Sequence, residues 1–381
     1  MGKEARERIE ARLGEAGSRG SCFAATEAAD LIYLRRLIKK ERPRSVFEPY
    51  PKLFVKADTW QALDRGARAL FIIKGIAELH PHWVFFGPSA ALIHGMPVSW
   101  KDLRKPYVVT SSSISDAEKA QLVHRSSVKD ELCLCQGVRV TSPVRTLFDC
   151  ASRLSFQSAL AIADGYARTG GLGAEELCDD IRMRFRGQRG VKRVAAICAH
   201  ADGRAESGGE SIARAVMIQQ GFYLPELQTP LPDPIDPAKM FRADFAWESK
   251  KGIVLGELDG AKKYTMSGDP LDALRDERIR ESRLTAYGHA ILRFSYAQLL
   301  PRNRTEFVAL LEKFGVPRGP KPRFVDGVPE KRRSTMPGGA ECRFFAHSMA
   351  SGATGAMRSS SDMPLHVASP LSATAKPSQR Y

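Results

Sequence analysis

The sequence predicts a multidomain α/β protein. It has an N-terminal winged helix-turn-helix over residues 1–60, a mixed α/β middle region over 61–200, a C-terminal α/β domain over 203–317 and a disordered basic tail over 318–381. Three observations carry this expectation: the order helix, helix, hairpin at the start; helical and extended stretches that alternate after Glu206; and a collapse into Pro, Gly, Ser, Ala and Lys/Arg after Gly315. At roughly 150 residues per domain, 381 residues are enough for two or three domains.

The first stretch, Lys3 to Ala16, alternates charges and reads as an exposed helix. The next helix runs from Thr26 to Lys40. Leu31, Leu34, Leu37 and Ile38 form its apolar stripe, and Pro43 stops it. Val46 to Val55 then reads as two short strands around a proline-rich turn. In the middle region helical stretches, Ala67 to Leu79 and Phe156 to Ala167, alternate with short apolar runs such as Tyr107-Val108-Val109 and Gly137 to Val140. Ser89, His94 and Cys150 have no partners at catalytic spacing, so structural roles are expected for them. Later come a helix from Glu206 to Gln220, extended pieces at Glu226 to Leu231, Arg242 to Trp247 and Ile253 to Leu258, and a charged helix from Asp272 to Tyr287 ended by Gly288. A buried strand, Ala290 to Phe294, and a last helix, Arg304 to Phe314, complete the domain. The composition beyond residue 316 buries too little apolar surface to offset the cost of ordering.

Composition narrows the function. Hydrophobic residues make up 43% and charged residues 27%, ordinary for a soluble globular protein. The 58 Lys and Arg against 43 Asp and Glu leave +15, which favours polyanionic partners. The charged start is not a secretory signal, and no run approaches the ~18 apolar residues of a membrane span. The seven cysteines are odd in number and form no CxxC pairs, which argues against a disulfide framework or a zinc site. Cys133-Leu134-Cys135 reads as strand, and the chain is expected to be cytoplasmic, without a membrane partner.

Two clusters carry chemistry. Arg35, Arg36, Lys39 and Lys40 fall at i, i+1, i+4 and i+5, and Arg42 and Arg44 follow with only Glu41 opposing. A clustered stripe of this kind neutralises DNA phosphates, with Lys52 and Lys56 on the wing extending it. A plain solvated helix face is the competing reading. The second cluster is acidic. Glu206 and Glu210 are four apart, Asp244 sits between apolar neighbours, and Glu257 and Asp259 are at i, i+2 on a strand. Crowded carboxylates need a cation, and Mg²⁺ or the nearby Lys262 and Lys263 would serve. Surface acids paired with lysines are the plainer reading of each acid alone.

The segments Ala205-Glu206-Ser207-Gly208-Gly209-Glu210-Ser211, Arg242-Ala243-Asp244-Phe245, Gly256-Glu257-Leu258-Asp259-Gly260 with Lys263-Tyr264, and Arg278 to Arg283 resemble the DUF559 and very-short-patch-repair-like branch of the PD-(D/E)XK nucleases, over about Gly203 to Pro317. Gly87 to Pro97 and Val138 to Asp149 are similar to AbiEi-like antitoxins of type IV toxin–antitoxin systems, which carry a winged helix and often this nuclease-like domain. The resemblance implies a restriction-endonuclease-like C-terminal fold. It makes Glu210 (or Glu206), Asp244 and Glu257 the catalytic acids, with Lys263 as the amine and Asp244, Glu257 and Asp259 around Mg²⁺. One departure stands out: Asp259 occupies the position where the family has lysine. The chain is therefore expected to be a DNA-binding regulator, antitoxin-like, on double-stranded DNA and with a cognate toxin. The alternative is a Mg²⁺-dependent DNA endonuclease.

Overall fold

The structure, a computed structural model, describes residues 3–319 other than 42, 112–113, 128–131, 237, 251, 260–281 and 284–287, together with 324–325 and 328–329. It is a multidomain mixture of helices and mixed sheets. Residues Met1–Arg332 form one compact unit.

In the amino-terminal module, helix α1 (Lys3–Ser18) is followed by β1 (Phe23–Ala24), α2 (Ala28–Lys40), β2 (Val46–Tyr50) and β3 (Leu53–Lys56). The strands form an antiparallel sheet in the order β1-β3-β2. The expectation that α1 is merely exposed is corrected here. Ile9, Leu13 and Ala16, spaced four and three apart, lie on one stripe and are buried with Phe23, Leu34, Val46 and Phe54. Charge alternation hid a stripe that consists of one residue per turn. The carboxylate of Asp30, fully buried in the first turn of α2, is gripped by Arg8 (2.9 Å) and Arg12 (3.0 Å) of α1. The β2–β3 turn places Lys52 at φ +66°, and the register shifts between Phe47 and Tyr50, around Pro49, which has no N–H to give.

Two helices follow, α3 (Ala57–Ala62) and α4 (Arg65–Leu79), the latter capped by Asp64, which accepts the Ala67 N–H at 2.9 Å. Next in the chain are β4 (Val84–Phe85), α5 (Gly87–Ile93), a 3-10 turn at Trp100–Leu103, β5 (Tyr107–Val109), α6 (Asp116–Gln121), β6 (Val123–Arg125), β7 (Leu132–Cys135) and β8 (Val138–Thr141). They build a sheet in the order β6-β5-β4-β8-β7, parallel at β5–β6 and β4–β8 and antiparallel elsewhere. Its core of Phe85, Val108 and Val140 also takes in Tyr50, Leu53 and Val55 of the hairpin, so the hairpin is packed on both faces. Ser89 accepts the Tyr107 N–H at 2.9 Å, a His94 ring nitrogen lies 2.9 Å from the Thr141 carbonyl, and Cys150 is buried. All three therefore have contacts within the fold.

Helices α7 (Pro143–Ala151), α8 (Phe156–Gly170), α9 (Ala174–Arg184) and α10 (Val191–Cys198) surround a second core. The C-terminal part begins with α11 (Gly208–Gln220), followed by β9 (Glu226–Pro232), β10 (Met240–Ser249), β11 (Gly252–Asp259) and β12 (Ala290–Ser295). The sheet order is β12-β11-β10-β9, antiparallel except for the parallel pair β11–β12. One helical turn, Tyr296–Leu299, leads to α12 (Arg304–Lys313), which packs Phe307 and Leu311 against Phe294 and Leu292.

Helix α11 is shared between cores. Ala215 and Ile218 enter the core of α7–α10, while Ala213, Val216 and Met217 enter that of the C-terminal sheet. Between them Arg214 reaches the fully buried Asp164 of α8 at 2.6 Å and donates to the His200 carbonyl at 2.7 Å. Most of the helix expected over Asp272 to Tyr287 and nearly all of the tail over 318–381 lie outside the described residues. Gly288 has φ +70°, the left-handed region that glycine adopts freely. Among the described residues no helix is long and apolar enough to cross a membrane.

Candidate functional site

Arg35, Arg36, Lys39 and Lys40 lie on α2, whose inward side is fixed by Leu34 and Asp30, and all four are exposed. They are not equivalent. Arg35 is held by Glu48 of β2, its Nε at 3.1 and 3.2 Å from the two carboxylate oxygens and an Nη at 2.7 Å. Glu48 also accepts the Lys52 N–H at 3.1 Å, so the carboxylate ties the helix to the hairpin turn. Arg36, Lys39 and Lys40 have no ion-pair partner among the described residues. Two neighbours were not legible as site residues: Glu48, which neutralises Arg35, and Ile32, 70% exposed one turn before Arg36 on the same outward face. The signal for Ile32 was an isoleucine just off the apolar stripe.

The acidic cluster is built from the start of α11 and the middle of the C-terminal sheet. Ser207 caps α11, its hydroxyl accepting the Glu210 N–H at 3.2 Å, so Glu206 lies before the helix rather than on it. Glu206 is exposed and pairs with Arg242 at 2.8 Å. Glu210 is buried, and its carboxylate accepts the Glu206 N–H at 2.9 Å and the Gln228 amide at 3.0 Å. Burial pushes its carboxyl above the usual range, and the nearby charge of Asp244 pushes the same way against its hydrogen bonds. Glu210 and Asp244 are therefore neighbours. Asp244 is half-buried and accepts the Leu258 N–H at 2.9 Å. Gly209 makes the approach of α11 to β11 possible: a Cβ there would sit 2.5 Å from a Leu258 methyl.

Glu257 is buried on β11, whereas Asp259 at its end is exposed and faces Arg293 at 3.6 Å. The i, i+2 pair thus splits between interior and surface. Lys263, like Lys262, lies outside the described residues. Among the described residues no three His, Cys, Asp or Glu side chains come together as metal ligands. The carboxylates expected around Mg²⁺ (Asp244, Glu257 and Asp259) do not complete a ligand set as placed. Protein N–H groups already donate to the Glu210 and Asp244 oxygens that a cation would need.

The cluster has a member that spacing did not reveal. Gln228 on β9 has φ +53°, a left-handed conformation costly for a residue with a Cβ. Thr229 pairs with Ala243 and Leu227 with Phe245, so Gln228 and Asp244 fall together at a break in the ladder. The strain turns the Gln228 amide toward Glu210. No local sequence signal marks a strained glutamine.

No protein-family model matches the chain. No solved structure matches it. Two uncharacterized proteins of Mycobacterium tuberculosis, one from strain CDC 1551 / Oshkosh and one from strain H37Rv, are each 33% identical to it over 156 residues. The aligned part is 41% of this chain and 54% of theirs, so the chain spans about half the length of the curated relatives it matches.

Proposed function

We propose that the chain is a DNA-binding transcriptional regulator of the antitoxin kind, with a winged helix at its start, an AbiEi-like middle region and a nuclease-like carboxyl-terminal fold that serves as a platform. The observation that carries the reading is the outward face of α2, where Arg36, Lys39 and Lys40 stand exposed beside Ile32. The hairpin behind them supports a wing, with Lys52 exposed at its tip. Lysine and arginine neutralise phosphates and an exposed aliphatic side chain suits a thymine methyl, so this face combines positioning and reading. Glu48 keeps Arg35 in one orientation. The order helix, three antiparallel strands, then a fourth strand parallel to the third supports the nuclease-like fold, and the resemblance to antitoxins implies a cognate toxin as partner. Changing Arg35, Arg36, Lys39 and Lys40 to Ala should weaken duplex binding across sequences. It should flatten the salt slope by roughly 0.9 for each phosphate no longer neutralised, about 3 if Arg36, Lys39 and Lys40 each hold one. Unchanged affinity and slope in the quadruple variant would refute the assignment.

The second reading, a Mg²⁺-dependent DNA endonuclease, is favoured by one observation: the Glu210 carboxyl is raised by burial and, in addition, by the nearby charge of Asp244. A divalent cation would relieve that repulsion and, in a complete site, would activate water and polarise a phosphodiester. Among the described residues the carboxylates supply an incomplete ligand set. Millimolar Mn²⁺ that raises the melting temperature of the wild type but not of Asp244→Asn, together with plasmid cleavage abolished in Glu257→Gln, would favour the enzyme over the regulator.

A further inference from the structure

A second cationic surface lies away from α2, at the join between the amino-terminal module and the middle region. It centres on Trp100 in the 3-10 turn Trp100–Leu103, 43% exposed, with the Arg65 guanidinium of α4 stacked 4.3 Å from its ring centre. Lys101, Arg104 and Lys105 follow directly and are exposed. Lys101 reaches the Ser155 hydroxyl at 3.3 Å, which brings the loop carrying exposed Arg153 alongside. Asp102, the acid between these cations, has a carboxylate oxygen buried away from solvent. Asp64 is engaged as the cap of α4. Among the described residues Arg65, Arg104, Lys105 and Arg153 have no ion-pair partner, and the Trp100 indole N–H has no acceptor.

These features point to a polyanion. Five cations around one open tryptophan, against Asp64 at the cap of α4 and the half-buried Asp102, make a predominantly cationic surface. Such a surface gains by releasing counterions from a phosphate backbone. A solvated face that only keeps the chain soluble mixes signs and has no need of a large exposed aromatic ring. The indole can donate to a phosphate oxygen, as can each cation. The surface is also tied to the proposed reading helix: β3 runs straight into α3 and then α4, and α4 carries Arg65.

We propose that the surface of Arg65, Trp100, Lys101, Arg104, Lys105 and Arg153 is a sequence-independent contact for duplex DNA, holding phosphates that flank the segment engaged by α2. This inference rests on the proposal that α2 binds DNA. The test compares two duplexes, one of about 12 base pairs, little more than a helical turn, and one of about 40 that extends into the flanks. Binding is measured against salt for wild type, for Lys101→Ala/Arg104→Ala/Lys105→Ala, and for the quadruple α2 variant.

The expected result is a triple variant that binds the short duplex like wild type. On the long duplex its log–log salt slope should be flatter by about 2 to 3, at roughly 0.9 per phosphate no longer neutralised. Trp100→Phe, which keeps a ring but removes the N–H, should weaken long-duplex binding by less than the triple variant does. A triple variant unchanged on both duplexes, or weakened equally on both, would overturn the inference. An α2 variant that binds the short duplex normally would instead refute the reading of α2, whatever the triple variant does.

Discussion

The ion pair between Asp164 and Arg214 is where the middle region and the C-terminal sheet are fastened together, and it allows a sharp prediction. Both side chains are buried, 2.6 Å apart, and each is satisfied further: Arg214 by the His200 carbonyl and Asp164 by the Asp202 N–H at 2.8 Å. Burial raises the Asp164 carboxyl, and the Arg214 charge only partly offsets it. Removing one partner leaves a charge in the interior, at a cost of about 3–5 kcal/mol. Replacing both by apolar groups of similar volume removes the desolvation penalty along with the attraction, and is often near neutral. Arg214→Met alone should therefore lower the urea midpoint by about 1 to 1.7 M for an m-value near 3 kcal/mol/M. Asp164→Leu/Arg214→Met should recover most of the loss. The pH dependence follows in sign. Without Arg214 the carboxyl is raised further, so the penalty is complete at pH above that value and shrinks as acid protonates the group. A single variant that loses less than about 1 kcal/mol, or a double variant as unstable as the single, would refute the account.

Three further outcomes are expected. Glu210→Gln should stabilise the fold at about pH 8, because above its raised pKa the native state bears an ionised carboxyl that is buried and lies near Asp244. The gain should fade as pH drops through the Glu210 titration, and melting temperatures at several pH values check this. Gln228→Gly should exceed Gln228→Ala in stability by about 1 kcal/mol, since both lose the bond to Glu210 but only glycine adopts φ +53° freely; chemical denaturation that gives the reverse order would remove the strain argument. Gly165→Ala should cost about 1–3 kcal/mol in the same measurement, because its Cβ would stand 2.3 Å from the ring of Pro97, which cannot swing away.

What could be read from the sequence follows the range of the interactions. Tyr107–Val109 as strand, Phe156 onwards as helix and Cys133 and Cys135 on β7 depend on local pattern, and the structure agrees. The stripe of Ile9, Leu13 and Ala16 was also local, but one small residue and a dense charge pattern concealed it. The exposure of Arg35 to Lys40 followed from helical spacing, whereas the neutralisation of Arg35 depended on Glu48, thirteen positions on and in another element. Asp244 and Glu210 were legible as acids in suggestive places. Their proximity, the split between Glu257 and Asp259, and the role of Gln228 depend on how three strands and one helix are registered, and no spacing encodes that.

The shared helix α11 also constrains how such a chain can be inherited. A recombination event that joined a foreign segment just before Gly208 would carry away Asp164, the ion-pair partner of Arg214, together with the apolar surroundings of Ala215 and Ile218. The retained piece would be left with an interior cation and an apolar flank facing water. Viable exchanges are therefore those that move Asp164 and Arg214 together, so the two sides of this joint are bound to descend as one lineage even where the surfaces they display diverge.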